Sequence, residues 1–182
     1  MAFVFASGSL ALDLVGTLNE RRTARVENLH DADDVARWLV EAGVLDDPPP
    51  VDDATLPETL RLREALFAVV EQLLDAPGQS LPGPDLAVVN AAAAGPTPVP
   101  AVDVEGRVAR TGGWRAGLSA VARDGLALTG RTDGALKWCA DPACTHPFLD
   151  RSRGQRRRWC DMAGCGDRAK AAAYRARRRT TG

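Results

Sequence analysis

All four cysteines of this 182-residue chain fall close together near its end, as Cys139-x4-Cys144, fifteen intervening residues, then Cys160-x4-Cys165. So short a segment seldom buries enough apolar surface to fold alone and normally requires a metal or a disulfide staple. Two spaced cysteine pairs are what a tetrahedral structural zinc site needs, because each pair wraps one edge of the ion while the chain between them returns. Two disulfides are the plainer alternative. The intracellular setting expected here disfavours them, and so does the long cysteine-free stretch that precedes the cluster. Four thiolates can also hold an iron–sulfur cluster. His146, two residues past Cys144, could compete as a ligand, but four thiolates already close the tetrahedron and leave it a surface or outer-sphere place. A closed site offers no position for a metal-bound water, which argues against metal catalysis.

Charge divides the chain in the same place. From Lys137 to Gly182 there are twelve Lys and Arg against four Asp, whereas residues 1–136 hold eleven basic and twenty acidic residues. The net charge of −1 hides this asymmetry, which points to a polyanion-binding end on a body that is not one. Arg outnumbers Lys by 21 to 2 in a chain rich in Ala, Gly and Pro, so the choice of Arg carries less weight than its placement. No apolar run is long enough to span a membrane. The opening residues resemble a signal peptide only briefly. They lack Lys and Arg before Arg21, and Asp13 interrupts the apolar run, so a cytoplasmic protein is expected.

Along residues 1–134 the pattern is that of a helix-rich α/β domain. Phe3-Val4-Phe5 reads as a short strand, and Leu10, Ala11, Leu14, Val15 and Leu18 share one face of a helix over about 9–19. A polar loop to His30 follows. Asp31, Asp33 and Asp34 crowd the first turn of a second helix, where carboxylates suit exposed N–H groups; Val35, Trp38 and Leu39 face inward, and Gly43 stops it. Thr55-x-x-Glu58 has the form of a capping box opening a long helix that Pro77-Gly78 ends. A short helix over 85–94, a hairpin over 99–110 turning at Glu105-Gly106, and a helix over 114–128 complete the domain. Gly130 to Gly134 reads as a flexible joint and the domain boundary.

Beyond the joint, Leu136–Cys139, Phe148–Asp150 and Arg157–Cys160 suggest three strands, and Cys165 sits at the entry to a helix reaching about Arg178. Strands, hairpin and a last ligand on a helix N-terminus make a treble-clef-like layout, with helix N–H groups favouring thiolate. Ala169, Ala172, Ala173 and Ala176 form a stripe small enough to pack against the hairpin, flanked by Arg168, Lys170, Arg175, Arg177 and Arg179. Arg151, Arg153, Arg156, Arg157 and Arg158 lie on the adjacent turn and strand. Some of these cations are needed to neutralise four thiolates around a dication, and Arg177 to Arg179 suit a helix C-terminus. Twelve basic groups exceed both needs, and phosphate backbones reward such a surface through counterion release. Trp138, Phe148, Trp159 and Tyr174 read mostly as the small core of this module rather than as a platform for single-stranded bases.

These residues resemble the CGNR zinc finger, a bacterial module. The likeness rests on Cys139-x4-Cys144, Phe148-Leu149-Asp150, Arg158-Trp159-Cys160-x-Met162-x-x-Cys165-Gly166-Asp167-Arg168-x-Lys170 and Tyr174-Arg175-x-Arg177-Arg178. Asp167 stands where that family usually has Asn, keeping an oxygen for capping but losing the amide donors. The front is similar to the ABATE domain that usually precedes this finger, through Leu10-Ala11-Leu12-Asp13-Leu14-Val15-Gly16-Thr17, Val35-x-x-Trp38-Leu39-x-x-Ala42-Gly43, Leu62-Arg63-Glu64-Ala65-Leu66 and Leu86-x-x-x-Asn90. Gly16 replaces a common Asn. The resemblance implies an α/β ligand-sensing domain (1–134) joined to a treble-clef finger (135–182) that holds one structural Zn2+ and binds DNA in a stress-response transcription regulator.

Three function classes remain in view. A regulator would use Cys139, Cys144, Cys160 and Cys165 on zinc, and Arg151, Arg153, Arg156, Arg157, Arg158, Arg168, Lys170 and Arg175 on DNA, with a small-molecule effector on the front domain. A homodimer is compatible with this, and no membrane is involved. The alternative is a zinc-stabilised module for RNA or protein. An enzyme is the least supported: the front has only His30, no cysteine, no nucleophile–base pair and no phosphate loop. Asp13, Thr17 and Arg63 could line a pocket there, although capping or pairing with Arg63 is the plainer role for Asp13.

Overall fold

The computed structural model describes residues 3–130 and 134–180, with side chains to 178. Most of the expected joint, residues 131–133, lies outside the described residues. The front domain is built on α1 (Leu10–Val15), which is wedged against α3 (Thr55–Asp75) and α5 (Trp114–Ala127). Ala11, Leu12, Leu14 and Val15 are at most 1% exposed and lie in the core, with Leu10 partly buried against it. Full burial of each Leu or Val is worth about 1.5–3 kcal/mol. Close packing requires Gly125 on α5: a Cβ there would stand 2.3 Å from Leu66 of α3. Asp124 on the same helix accepts from the Ala11 N–H at 3.0 Å and from the Ser9 hydroxyl, capping α1 from outside its own sequence.

The helix expected over 9–19 ends at Val15. Thr17 folds its hydroxyl back onto the Leu14 carbonyl at 2.7 Å, and Leu18–Asn19 (β1) pairs with Val26–Glu27 (β2), so the expected loop contains a minimal antiparallel ladder. α2 (Ala32–Glu41) begins as its acidic run implies, with Asp31 accepting from the Asp34 N–H at 2.7 Å. The capping box at Thr55 and Glu58 does not form. Asp52 accepts from the Ala54 N–H and the Thr55 hydroxyl instead, and Glu58 turns outward to Arg115. α4 (Gly83–Ala93) packs on α3 and α5, while β3 (Val99–Val102) and β4 (Val108–Thr111) form the expected hairpin with every residue exposed.

Phe3-Val4-Phe5 forms no strand. It is an arm laid over α2, with Phe5 6.0 Å from the Trp38 ring and Arg37 stacked 4.5 Å from Phe3. In the C-terminal region β5 (Ala135–Trp138) and β6 (Pro147–Asp150) pair antiparallel from Ala135–Asp150 to Trp138–Pro147, and α6 (Asp167–Thr180) follows a wound turn over 162–166. The third expected strand, over 157–160, is irregular chain. This hairpin docks on the front domain. Leu149, 2% exposed, belongs to the main core, its N–H donating to the Ser7 carbonyl at 2.7 Å. Trp138 leaves the finger and packs on Phe67 of α3, its indole N–H donating to Asp75 at 2.6 Å. Among the described residues no helix is long and apolar enough to cross a membrane.

Candidate metal centre and nucleic-acid interface

The chain gathers its four cysteines by local turns. Cys139 directly follows β5, and Asp141 turns the chain back by accepting from the Ala143 N–H, while Cys144 N–H donates to the Asp141 carbonyl. Asp161 caps the second turn, accepting from Ala163 and Gly164 N–H groups and setting Cys165 inside. All four sulfurs lie within 4.8 Å of one another. Cys144 and Cys160 sulfurs are 3.6 Å apart and Cys160 and Cys165 sulfurs 3.7 Å, and none is in a disulfide. A zinc tetrathiolate with bonds of about 2.3 Å has sulfur–sulfur edges of about 3.8 Å. A disulfide needs about 2.05 Å. The cluster therefore fits one structural zinc, and bound zinc would supply only charge and shape, because four thiolates fill its coordination.

Electrostatics agree. Hydrogen bonds from Cys144 and Cys160 hold the Cys139 thiol far down, while the same bonding to Cys139 pushes Cys144 and Cys160 up; burial pushes Cys165 up. A dication at the centre removes the conflict and lets all four ionise. Protein donors already point at the sulfurs, among them Cys160 N–H to Cys139 at 3.4 Å and the Arg168 guanidinium to Cys165 at 2.9 Å. Phe148, wholly buried, and Trp159 pack against the cluster.

Asp150 explains the Phe-Leu-Asp run. Its carboxylate is inaccessible and accepts from Lys137 Nζ at 2.8 Å, from Ser152 N–H and hydroxyl, and from Arg157 N–H. The Lys137 ammonium, then Ser152, hold its pKa well below the usual carboxylate range. Asp167 is exposed and paired with Lys170 at 2.9 Å; the cap of this turn belongs to Asp161 instead.

The basic residues sort into two sets. Arg157 is structural in its contacts: its guanidinium donates to the Trp159, Cys160 and Ala6 carbonyls and stacks 4.8 Å from Phe148. Arg168 is held by Asp141 at 2.9 Å as well as by Cys165. Arg151, Arg153, Arg156, Arg158, Lys170 and Arg175 are exposed. The alanine stripe does not pack on the hairpin: Ala172, Ala173 and Ala176 are exposed, and α6 touches chiefly the turn that precedes it. Tyr174, 55% exposed, likewise joins no core. From Lys170 to Arg178 the helix stands in solvent on every side.

Asp13 and Thr17 line a cavity of about 350 Å³ between the front domain and the finger; Arg63 does not. Arg63 is buried in a bidentate pair with Glu27, at 2.6 and 2.7 Å, and also donates to Thr17. Asp13 does not meet Arg63. It accepts from the Ser7 N–H at 3.0 Å and hydroxyl at 2.6 Å, and burial pushes its pKa up to about 6. His146 lines the same cavity, partly buried, and is not one of the clustered metal ligands. Its Nε2 lies 3.2 Å from the Leu12 carbonyl, with the ring tucked beneath Gly16. Sequence reasoning missed Ser7 and Glu27; the one available signal for His146 was the small residue at position 16, which leaves room for a ring.

Residues 8–132 match the model of the family ABATE, described as "Putative stress-induced transcription regulator", and residues 135–178 match that of the CGNR zinc finger. The comparison with curated proteins gives no match.

Proposed function

The chain belongs to the ABATE family and carries a CGNR zinc finger at its end, and from that premise we propose that it is a cytoplasmic, non-enzymatic regulator that binds duplex DNA through its basic α6 and adjacent turn. One observation carries the reading: α6 stands clear of the protein, with Lys170 and Arg175 exposed on it and Arg151, Arg153, Arg156 and Arg158 exposed beside its root. A helix with side chains is about 10–12 Å across, and the major groove of B-DNA is about 12 Å wide. Arg side chains on such a helix reach phosphates on both rims, and bidentate Arg can read guanine. Arg157 and Arg168 serve the reading indirectly, by fixing the finger on the front domain and on Cys165. In this scheme zinc is structural, the finger has the treble-clef layout of knuckle, hairpin and helix, and the boundary falls near residue 134. A ligand on the front domain alters how the finger is presented.

The test is a duplex-binding titration against salt on the zinc-loaded protein. Affinity should fall steeply, with a log–log slope of about −0.9 per phosphate contact. A flat response overturns the reading. Equal or tighter binding to single-stranded RNA would favour the alternative module, for which the exposed Tyr174 ring, with Arg178 5.9 Å from it, offers a stacking surface.

A further inference from the structure

The cavity between the two domains has an uneven lining. Phe3, Val4 and Trp38 make an apolar and aromatic wall. The lining also includes two carboxylate residues, Asp13 and Glu20, and two with side-chain amides, Asn19 and Asn28. Among the described residues neither of these amides has a hydrogen-bond partner. The finger closes the remaining side with Cys144, His146, Asp161 and Arg168.

The charged side chains of this lining are mostly carboxylates. Arg168 is the one guanidinium among the lining residues, and Asp141 and Cys165 already occupy it. His146 is engaged with the Leu12 carbonyl, and the Asp161 carboxylate with backbone N–H groups. Cys144, Cys160 and Cys165 are themselves part of the lining, and four thiolates on zinc carry a further net −2 there. An anion entering here would meet carboxylates with no uncommitted cation, whereas a cation would meet carboxyl and amide oxygens, with aromatic rings to cover its apolar part.

We infer that this interdomain cavity is the effector site, and that it takes a compact organic cation: a primary ammonium on an apolar body. At about 350 Å³ the space holds a molecule of about a dozen non-hydrogen atoms, allowing ~30 Å³ for each as for water. The inference rests on the regulator reading and gives its sensing step a place. Ser7 supplies the coupling. Its N–H and hydroxyl donate to Asp13 in the cavity wall, and its carbonyl accepts from Leu149 N–H on β6 of the finger. The Ala6 carbonyl, one residue earlier, accepts from Arg157. An ammonium that takes Asp13 as its partner competes with Ser7, so the arm that holds the finger shifts when the cavity fills.

The test uses the full-length zinc-loaded protein and two probes of similar shape and opposite charge, phenethylammonium and 3-phenylpropionate, followed by calorimetry and amide NMR. Phenethylammonium should bind saturably, with the carboxylate at least tenfold weaker, and the shifted amides should include Ser7, Asn28 and Leu149. Asp13→Asn and Asn28→Leu should each weaken the ammonium at least tenfold with zinc content unchanged. Should Asp13→Asn fail to fold, Asn28→Leu decides, since its side chain bonds to nothing among the described residues. Equal binding of the anion, no saturation by the ammonium, or wild-type affinity in Asn28→Leu overturns the inference. Duplex affinity is measured alongside. A protein that binds DNA but not the ammonium refutes the site alone, and one that binds the ammonium but no DNA refutes the regulator reading alone.

Discussion

A methyl group on Gly16 would stand 2.1 Å from Cε1 of His146. The last residue of α1's turn is thus a socket for a side chain from the finger, 130 positions later in the chain. The imidazole cannot swing away cheaply, because it is partly buried and its Nε2 faces the Leu12 carbonyl.

Gly16→Ala should therefore destabilise the protein by about 1–3 kcal/mol, the usual cost of overpacking. For a chain of this size each kcal/mol lowers Tm by about 2–4 °C. In the double variant Gly16→Ala/His146→Ala the two losses should not add, because removing the ring opens the space the methyl needs. Thermal melts of the four proteins read the coupling; strictly additive losses would mean that the two residues do not share this space.

Chelation should unfold more than the finger. Leu149 sits on β6 and in the main core, so loss of the cluster that braces β5 and β6 reaches α1 and α5. Elemental analysis should find one zinc per chain, and a chelator should lower the melting temperature of the whole protein by roughly 20 °C or more, given the ~10–16 kcal/mol of structural zinc sites. A front-domain transition indifferent to the chelator would contradict the shared core.

Asp13 gives stability a pH signature. Burial raises its pKa from 3.8 to about 6 in the folded protein, so folding favours the protonated form relative to the unfolded chain. Its contribution is complete below the unfolded value and is lost as pH climbs through the folded value. Asp13→Asn removes this dependence. The stability of the variant relative to wild type should rise by about 1 kcal/mol between pH 5 and pH 7.5 and level off above. Urea melts at several pH values, at fixed zinc, would show it; a constant difference would place the carboxyl in a wetter setting.

Arg157 and Arg175 should separate stability from binding. Arg157→Ala removes donors from the Ala6 and Trp159 carbonyls and should lower the melting temperature by several degrees, at about 1–3 kcal/mol for buried polar groups left unpaired. Arg175→Ala, on the open face of α6, should leave the melt unchanged and reduce the salt slope of duplex binding by about 1. The opposite pattern would reverse the roles of the two arginines.

The metal centre was legible because its information is local. Cysteine spacing, the turn residues between the cysteines and the shortness of the segment all act within a few positions of one another. Helix positions in the front domain were legible for the same reason, through the periodicity of residues such as Leu62, Leu66 and Val69. What stayed hidden depends on distant partners. Trp138 reads as finger core until α3 offers Phe67 and Asp75 to it. Arg157 looks like its neighbours until Ala6 is brought beside it. Arg63 takes Glu27 rather than Asp13 because the β1–β2 ladder carries Glu27 back over the helix, and no pattern announces a ladder two residues long. The alanine stripe of α6 misled in the other direction, since small residues are good helix formers whether or not anything packs on them.

Leu149 also limits how such proteins can be recombined. A cut near residue 134, where the sequence families part, would leave a greasy side chain bare on one fragment and a hole in the other. Grafting this finger onto a foreign sensor would need the residues lining that hole to travel with it.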